Sequence, residues 1–259
     1  MTDFLKTCER AARAGGHVLL DWVGKIAARE KGPADLVTEA DLASQEEIQR
    51  IVLSTYPDHA FLGEEGSLSG QADAEYRWLV DPLDGTTNYV HQIPHYCVSI
   101  ALERRNQLIC GAVFDPVSRE CFTAEAGGGA HLNGRPLVVS KVERLDQAVV
   151  AVSLPPKVQP NSRELSEMVR MAVESQALRR TGSAALNLCY VAAGRFDAYW
   201  GGNTKPWDVA AGALMIREAG GVITDYEGRS LDLNVPKFVA AATPQLHQQV
   251  LQMVGDVRK

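Results

Sequence analysis

"WLVDPLDGTTNYV", residues 78–90, is the stretch on which the reading of this chain turns. An apolar run ends in Asp81, Pro82 fixes its own φ and disfavours helical geometry at Asp81, and Asp84 precedes Gly85, Thr86 and Thr87. The pattern predicts a strand over 76–81, then a turn that sets two carboxylates close together. Gly85 beside them lets a ligand approach the backbone. Taken alone, DxxDG describes equally well an acidic surface turn with Asp84 capping a helix.

Working outward, acidic residues close apolar segments at three other places. "FLGEEG" (61–66) ends a short run in Glu64 and Glu65 between two glycines, and alone it is an ordinary acidic turn. In "KPWDVAAGALMIREAGG" (205–221) Asp208 opens a strongly apolar helix, where the plain reading is an N-cap. In "DLVTEAD" (35–41) Thr38 and Asp41 have near capping-box spacing. Oxygen ligands without a His or Cys cluster select hard cations such as Mg²⁺ or Mn²⁺ over zinc. His91 and His95 form a close pair, but Pro94 between them argues for a structural role. If Glu64, Asp81, Asp84 and Asp208 converge, each unit repulsion at about 4 Å costs about 4 kcal/mol at an effective dielectric near ~20. Such a site rejects a phosphate ester unless divalent cations intervene. With them it becomes a site for metal-assisted phosphoryl transfer.

A length of 259 residues suits one large domain or two packed halves. Net charge is 26 − 32 = −6 with no basic run, which argues against nucleic acid as the main ligand. Five scattered cysteines without a CxxC pair read as reduced core thiols, and the charged N-terminus is no signal peptide, so a cytoplasmic location is expected. No apolar run approaches the roughly 18 residues of a membrane helix. Periodicity predicts helices over 3–27 and from Thr38 to before Pro57, strands over 58–63, 96–104, 107–114 and 119–124, and a hairpin at Asn133-Gly134. "AGGGAHLNG" (126–134) lacks the Lys-Ser/Thr ending of a P-loop and reads as a turn. Beyond residue 145 or so, helices over 162–176, 183–193, 207–219 and the C-terminus alternate with strands over 148–154, 177–181, 195–200, 221–226 and 237–242. The chain thus divides into an α+β half, 1–144, with an antiparallel sheet and the candidate ligands Glu64, Asp81 and Asp84, and an α/β half, 145–259, that supplies Asp208.

With "GEE" at 63–65, "WLVDPLDGTTN" at 78–88 and "PWDVAAGALMIREAGG" at 206–221, the sequence resembles the inositol monophosphatase family of Mg²⁺-dependent, lithium-inhibited phosphatases. "GPADLVTEAD" (32–41) and "GSAALNLCYVAAGRFDAYW" (182–200) extend the resemblance over essentially the whole chain. It implies a layered α-β-α-β-α sandwich of the inositol monophosphatase and fructose-1,6-bisphosphatase type, a homodimer, and a small phosphomonoester substrate, inositol 1-phosphate first. It implies two or three Mg²⁺ ions, replaceable by Mn²⁺, held by Glu64, Asp81, the Leu83 carbonyl, Asp84 and Asp208. Glu64 and the Thr86/Asp41 pair would polarise the attacking water, and the amides of Gly85 and Thr86 would hold the phosphate. Gly182, Ser183, Ala184 and Asp208 would meet the substrate, with Lys31 near the metals. One position departs from the pattern: many relatives carry an acidic residue just after "DAYW", where it reads a substrate hydroxyl, and here Gly201 stands there.

Histidinol phosphate, fructose 1,6-bisphosphate and adenosine 3′,5′-bisphosphate are alternative substrates for the same chemistry. A regulatory binding protein on a phosphatase scaffold is the alternative of another class. A haloacid-dehalogenase-type phosphatase would need DxD, one residue shorter than the spacing here, and "GSLSG" (66–70) is not GxSxG.

Overall fold

The computed structural model describes residues 2–25, 29–32, 35–66, 68–70, 74–155 and 157–255, and for 29–32 and 35–37 the backbone only. Helix α1 (Asp3–Trp22) is capped by the Thr2 hydroxyl, which accepts from the Leu5 amide, and it buries Leu5, Cys8, Ala11, Ala12 and Leu19 along one face. It stops at Trp22, short of the predicted 27. Val23 turns to an extended ψ and Gly24 takes φ 75°, a left-handed value that glycine adopts without penalty. The end of the predicted helix, residues 26–27, lies outside the described residues. A hairpin of β1 (Arg29–Gly32) and β2 (Asp35–Val37) leads to α2 (Glu39–Thr55), with Thr38 as its N-cap.

Strands β3 (Ala60–Gly63), β4 (Leu68–Ser69) and β5 (Tyr76–Asp84) come next, and the short helix α3 (Thr86–Val90) follows β5. Then come β6 (Cys97–Arg104), β7 (Gln107–Asp115), β8 (Glu120–Glu125), β9 (Gly129–Leu132) and β10 (Arg135–Pro136). They form an eight-stranded sheet in the order β10-β9-β8-β7-β6-β5-β3-β4, antiparallel except where β3 meets β5. The glycine-rich stretch read as a turn is half strand: Gly129–Leu132 pairs with β8, and Asn133-Gly134 makes the predicted reversal into β10.

The second half runs β11 (Val149–Ser153), α4 (Arg163–Glu174), β12 (Ala177–Arg179), α5 (Ala184–Ala192), β13 (Ala198–Gly201), α6 (Pro206–Glu218), β14 (Val222–Thr224), β15 (Phe238–Ala241) and α7 (Pro244–Gly255). Its five-stranded sheet has the order β12-β11-β13-β15-β14. The first three strands are parallel, but β15 runs antiparallel to both neighbours, so the sheet is mixed.

Strand alternation stacks these elements into five layers. On β5, Trp78 and Val80 enter a core with α1 and α2, while Leu79 points to the opposite core, with α5 and α6. On β13, Tyr199 faces that same middle core, and Ala198 and Trp200 face an outer one shared with α4 and α7. The middle core joins residues of both predicted halves, Phe122 and Val113 with Leu188 and Leu214. Helix α6 lies very close to its neighbours there. A Cβ on Gly111 of β7 would come 3.1 Å from Ala211, and one on Gly212 would come 2.4 Å from the Leu188 side chain.

Candidate active site

Strand β5 does not stop at Asp81. It pairs Asp81 with Ser99 and Asp84 with Cys97, so three steps on β5 match two on β6. The predicted strand end with its turn is therefore a bulge inside a longer strand. Pro82 suits the bulge because it brings no N–H for the ladder to satisfy. Ser44 of α2 donates to the Pro82 carbonyl at 3.0 Å, and the Leu83 amide donates to Asp81 Oδ1 at 2.9 Å. Gly85 then takes φ 98° at the start of α3, where a side chain would press on the His95 carbonyl, 3.1 Å from an added Cβ.

Asp84 reaches the other half of the chain. Its Oδ2 accepts from Ser183 Oγ at 2.6 Å and from the Ala185 amide at 2.7 Å. Asp208 is not the N-cap of α6: Lys205 is, Pro206 follows, and Asp208 turns back to accept the Lys205 amide at 2.8 Å. Asp41 completes a capping box with Thr38, accepting its amide at 2.9 Å and its hydroxyl at 2.5 Å. The Thr86 hydroxyl stands 3.4 Å from Asp41 Oδ1 and 3.1 Å from the Leu83 carbonyl, placed to donate to either.

These carboxylates feel one another. Burial lifts Asp81 well above the usual range, and the charges of Glu64, Asp84 and Asp208 add to the rise. Asp208 is lifted by burial and then by Asp84, against which the Lys205 amide and ammonium pull only partly. Asp84 rises through burial despite its hydrogen bonds to Ser183 and Ala185. Burial likewise pushes Asp41 up to about 6, with its bonds to Thr38 opposing. Among the described residues no three His, Cys, Asp or Glu side chains are placed to hold an ion as they stand, and Asp81, Asp84 and Asp208 are each turned onto backbone amide donors. The donor set, carboxylates and a carbonyl, nevertheless fits Mg²⁺ in kind, and the raised pKa values mark negative charge that the protein leaves uncompensated.

A cavity of about 390 Å³ opens beside Asp84 and Asp208, with Gly182 and Ala184 in its wall. Ser183 is buried behind them, capping α5 and holding Asp84. Lys31 lies in β1, whose side chains are outside the described residues. Sequence reading missed Asn88, whose amide ties α3 to this wall by donating to the His95 carbonyl at 2.7 Å and the Thr181 carbonyl at 2.9 Å. It also missed Arg180 and Asn203 on the cavity wall, for which no local pattern gives a signal.

The inositol monophosphatase family model matches residues 1–259. A Vibrio cholerae protein named Nus factor SuhB is 41% identical over 260 residues, 99% of this chain and 97% of its own. An inositol-1-monophosphatase of Rhizobium meliloti is 45% identical over 210 residues, 81% of this chain and 79% of its own. Among solved structures, the extragenic suppressor protein suhB from Bartonella henselae overlays with a TM-score of 0.94 at 37% identity, covering 99% of this chain and 100% of that one.

Proposed function

The chain belongs to the inositol monophosphatase family, and from that premise we propose that it is a Mg²⁺-dependent phosphomonoesterase acting on a small polyol phosphate, inositol 1-phosphate first. The observation that carries the reading is the burial of Asp81, Asp84 and Asp208 together, with the charges of Asp84 and Glu64 lifting Asp81 and Asp208 further, beside a cavity of substrate size. Glu64, Asp81, the Leu83 carbonyl, Asp84 and Asp208 would hold the ions, which when bound supply a water of lowered pKa and cancel the charge that repels a phosphate. The chain's own groups do the rest. The amides of Gly85 and Thr86 position the phosphate, the glycine taking the left-handed φ that the turn into α3 requires. The Thr86 hydroxyl, held between Asp41 and the Leu83 carbonyl, orients the attacking water and relays its proton toward Asp41. Gly182 and Ala184 bound the alcohol, Lys31 adds positive charge, and the working state is a lithium-sensitive homodimer in the cytoplasm.

The alcohol end sets the substrate. Gly201 is buried at the end of β13, and the cavity wall there offers Thr87, Arg180 and Asn203, whose side chains make no hydrogen bond among the described residues. Donors in place of a carboxylate keep the bisphosphates and histidinol phosphate beside inositol 1-phosphate as substrates. A second reading, a regulatory binding role on the same scaffold, draws on the Nus factor name of the Vibrio cholerae relative. A panel of these phosphomonoesters, assayed with and without Mg²⁺ and Li⁺, decides between them. Mg²⁺-dependent phosphate release is expected, and metal-replete protein inert on the whole panel would leave the binding role.

A further inference from the structure

A second cavity, of about 370 Å³, lies away from the acidic site, at the other ends of the two elements that build it. β5 carries Asp81 and Asp84 at one end and Arg77 near the other; α6 carries Asp208 in its first turn and Arg217 in its last. Four strand residues and nine helix residues span nearly the same length, about 13 Å at 3.3 and 1.5 Å per residue. Arg77 and Arg217 therefore meet again in one cavity, as the carboxylates do at the site.

Charge accounting shows what the cavity lacks. Glu103, opposite Arg77 in the β5–β6 ladder, is buried and accepts from Arg77 Nε at 2.6 Å. Asp232, the other carboxylate on the wall, accepts from the backbone and side-chain amides of Asn234, both at 2.9 Å. Of the charged wall residues, only Arg217 has a side chain that makes no hydrogen bond or ion pair among the described residues. Desolvation by its surroundings also draws its pKa down. Arg217 is exposed overall, and its guanidinium, without a counterion among the described residues, shares the cavity with Leu108, Leu231 and Leu233 as well as with polar Asn106, Gln107 and Asn234.

We propose that this cavity is a second small-molecule site, for an organic monocarboxylate with a compact apolar body, the carboxylate seated on Arg217 and the body against Leu108, Leu231 and Leu233. The chemistry is that of a planar fork of donors meeting a carboxylate in partly desolvated surroundings. A phosphate-bearing ligand fits less well, because Glu103 and Asp232 stand in the same wall.

Phenylacetate and its neutral isostere phenylacetamide are the probes, titrated calorimetrically into the full chain. Saturating Mg²⁺ and inorganic phosphate are present throughout, so that no carboxylate can occupy the acidic site. Phenylacetate is expected to bind saturably to one site, about tenfold or more tighter than the amide, the worth of a hydrogen-bonded charge. Arg217→Gln should weaken phenylacetate by the same factor and leave the amide unchanged, and Leu231→Asp should weaken both. Equal affinity of acid and amide, no saturable binding, or wild-type binding by Arg217→Gln would each overturn the proposal. The acid–amide comparison needs only wild-type protein, and no readout involves turnover, so the outcome is independent of the phosphatase reading.

Discussion

At one end of β5 and α6, burial raises the pKa of Asp81, Asp84 and Asp208, and the charge of Asp84 adds to the rise at the other two, with only Lys205 pulling against it at Asp208. At the other end of the same two elements, buried Glu103 lies against Arg77, and on the opposite face of β5 a neutral imidazole fills the space. There His59 stacks between Tyr56 and Tyr76, with centroids 4.8 and 4.6 Å away, and accepts the Trp78 indole N–H at 3.0 Å. The same two elements thus meet paired opposite charges at one end, Arg217 apart, and bury like charges together at the other. The contrast teaches that the acidic end is not a folding device. Burying like charges together opposes folding, which is what singles out the acidic end as the candidate site.

The largest expected effect tests the acidic end. Asp84→Asn or Asp208→Asn should lower kcat about a thousandfold, the several kcal/mol that a lost ion ligand removes from transition-state stabilisation, while circular dichroism shows a folded chain. Near wild-type turnover in either would erase the distinction between the two ends. Next comes the paired end: Arg77→Met strands buried Glu103 and should cost about 3 kcal/mol of unfolding free energy, most of it regained when Glu103→Leu is added. Urea melts read both, and an equal loss in the single and double variants would mean that packing, not charge, holds that end. Third, Asp41→Asn should lower kcat about a hundredfold with little change in KM. Because burial holds the Asp41 carboxyl at about 6, the wild-type rate should fall as pH drops through that value, and the variant's pH–rate profile should be flat there.

The smallest effect concerns His59. Burial lowers its pKa, so its contribution to stability is present above the unfolded value of about 6.5 and is lost as pH falls through the lower folded one. Protonating Nδ1 would also take the acceptor from Trp78. Melting temperatures between neutral and mildly acidic pH should decline less in His59→Gln than in wild type. An unchanged decline would assign the pH dependence to the carboxylates instead.

Much of the fold and of the candidate site was legible because carboxylates at the ends of apolar runs break hydropathy abruptly. Asp81, Asp84, Asp208 and Glu64 announce themselves in that way, and Thr38 with Asp41 has the spacing of the capping box it forms. What stayed hidden depends on partners far along the chain. The bulge at Pro82 exists only against β6, and Ser183 becomes the donor to Asp84 across 99 residues. The antiparallel β15 in a sheet read as α/β is likewise a matter of strand order. The end of α1 was missed for a local reason, since apolar periodicity ran on past a glycine that turns left-handed.

The narrow clearance around α6 has one more consequence. Gly111 faces Ala211, three residues along the helix from Asp208, and an added methyl would force strand and helix apart by a few tenths of an ångström. The aim of Asp208 is therefore governed in part by a position whose side chain is a hydrogen atom, two strands away from β5 in the same sheet. The geometry of the candidate site can drift through substitutions that leave every one of its carboxylates in place.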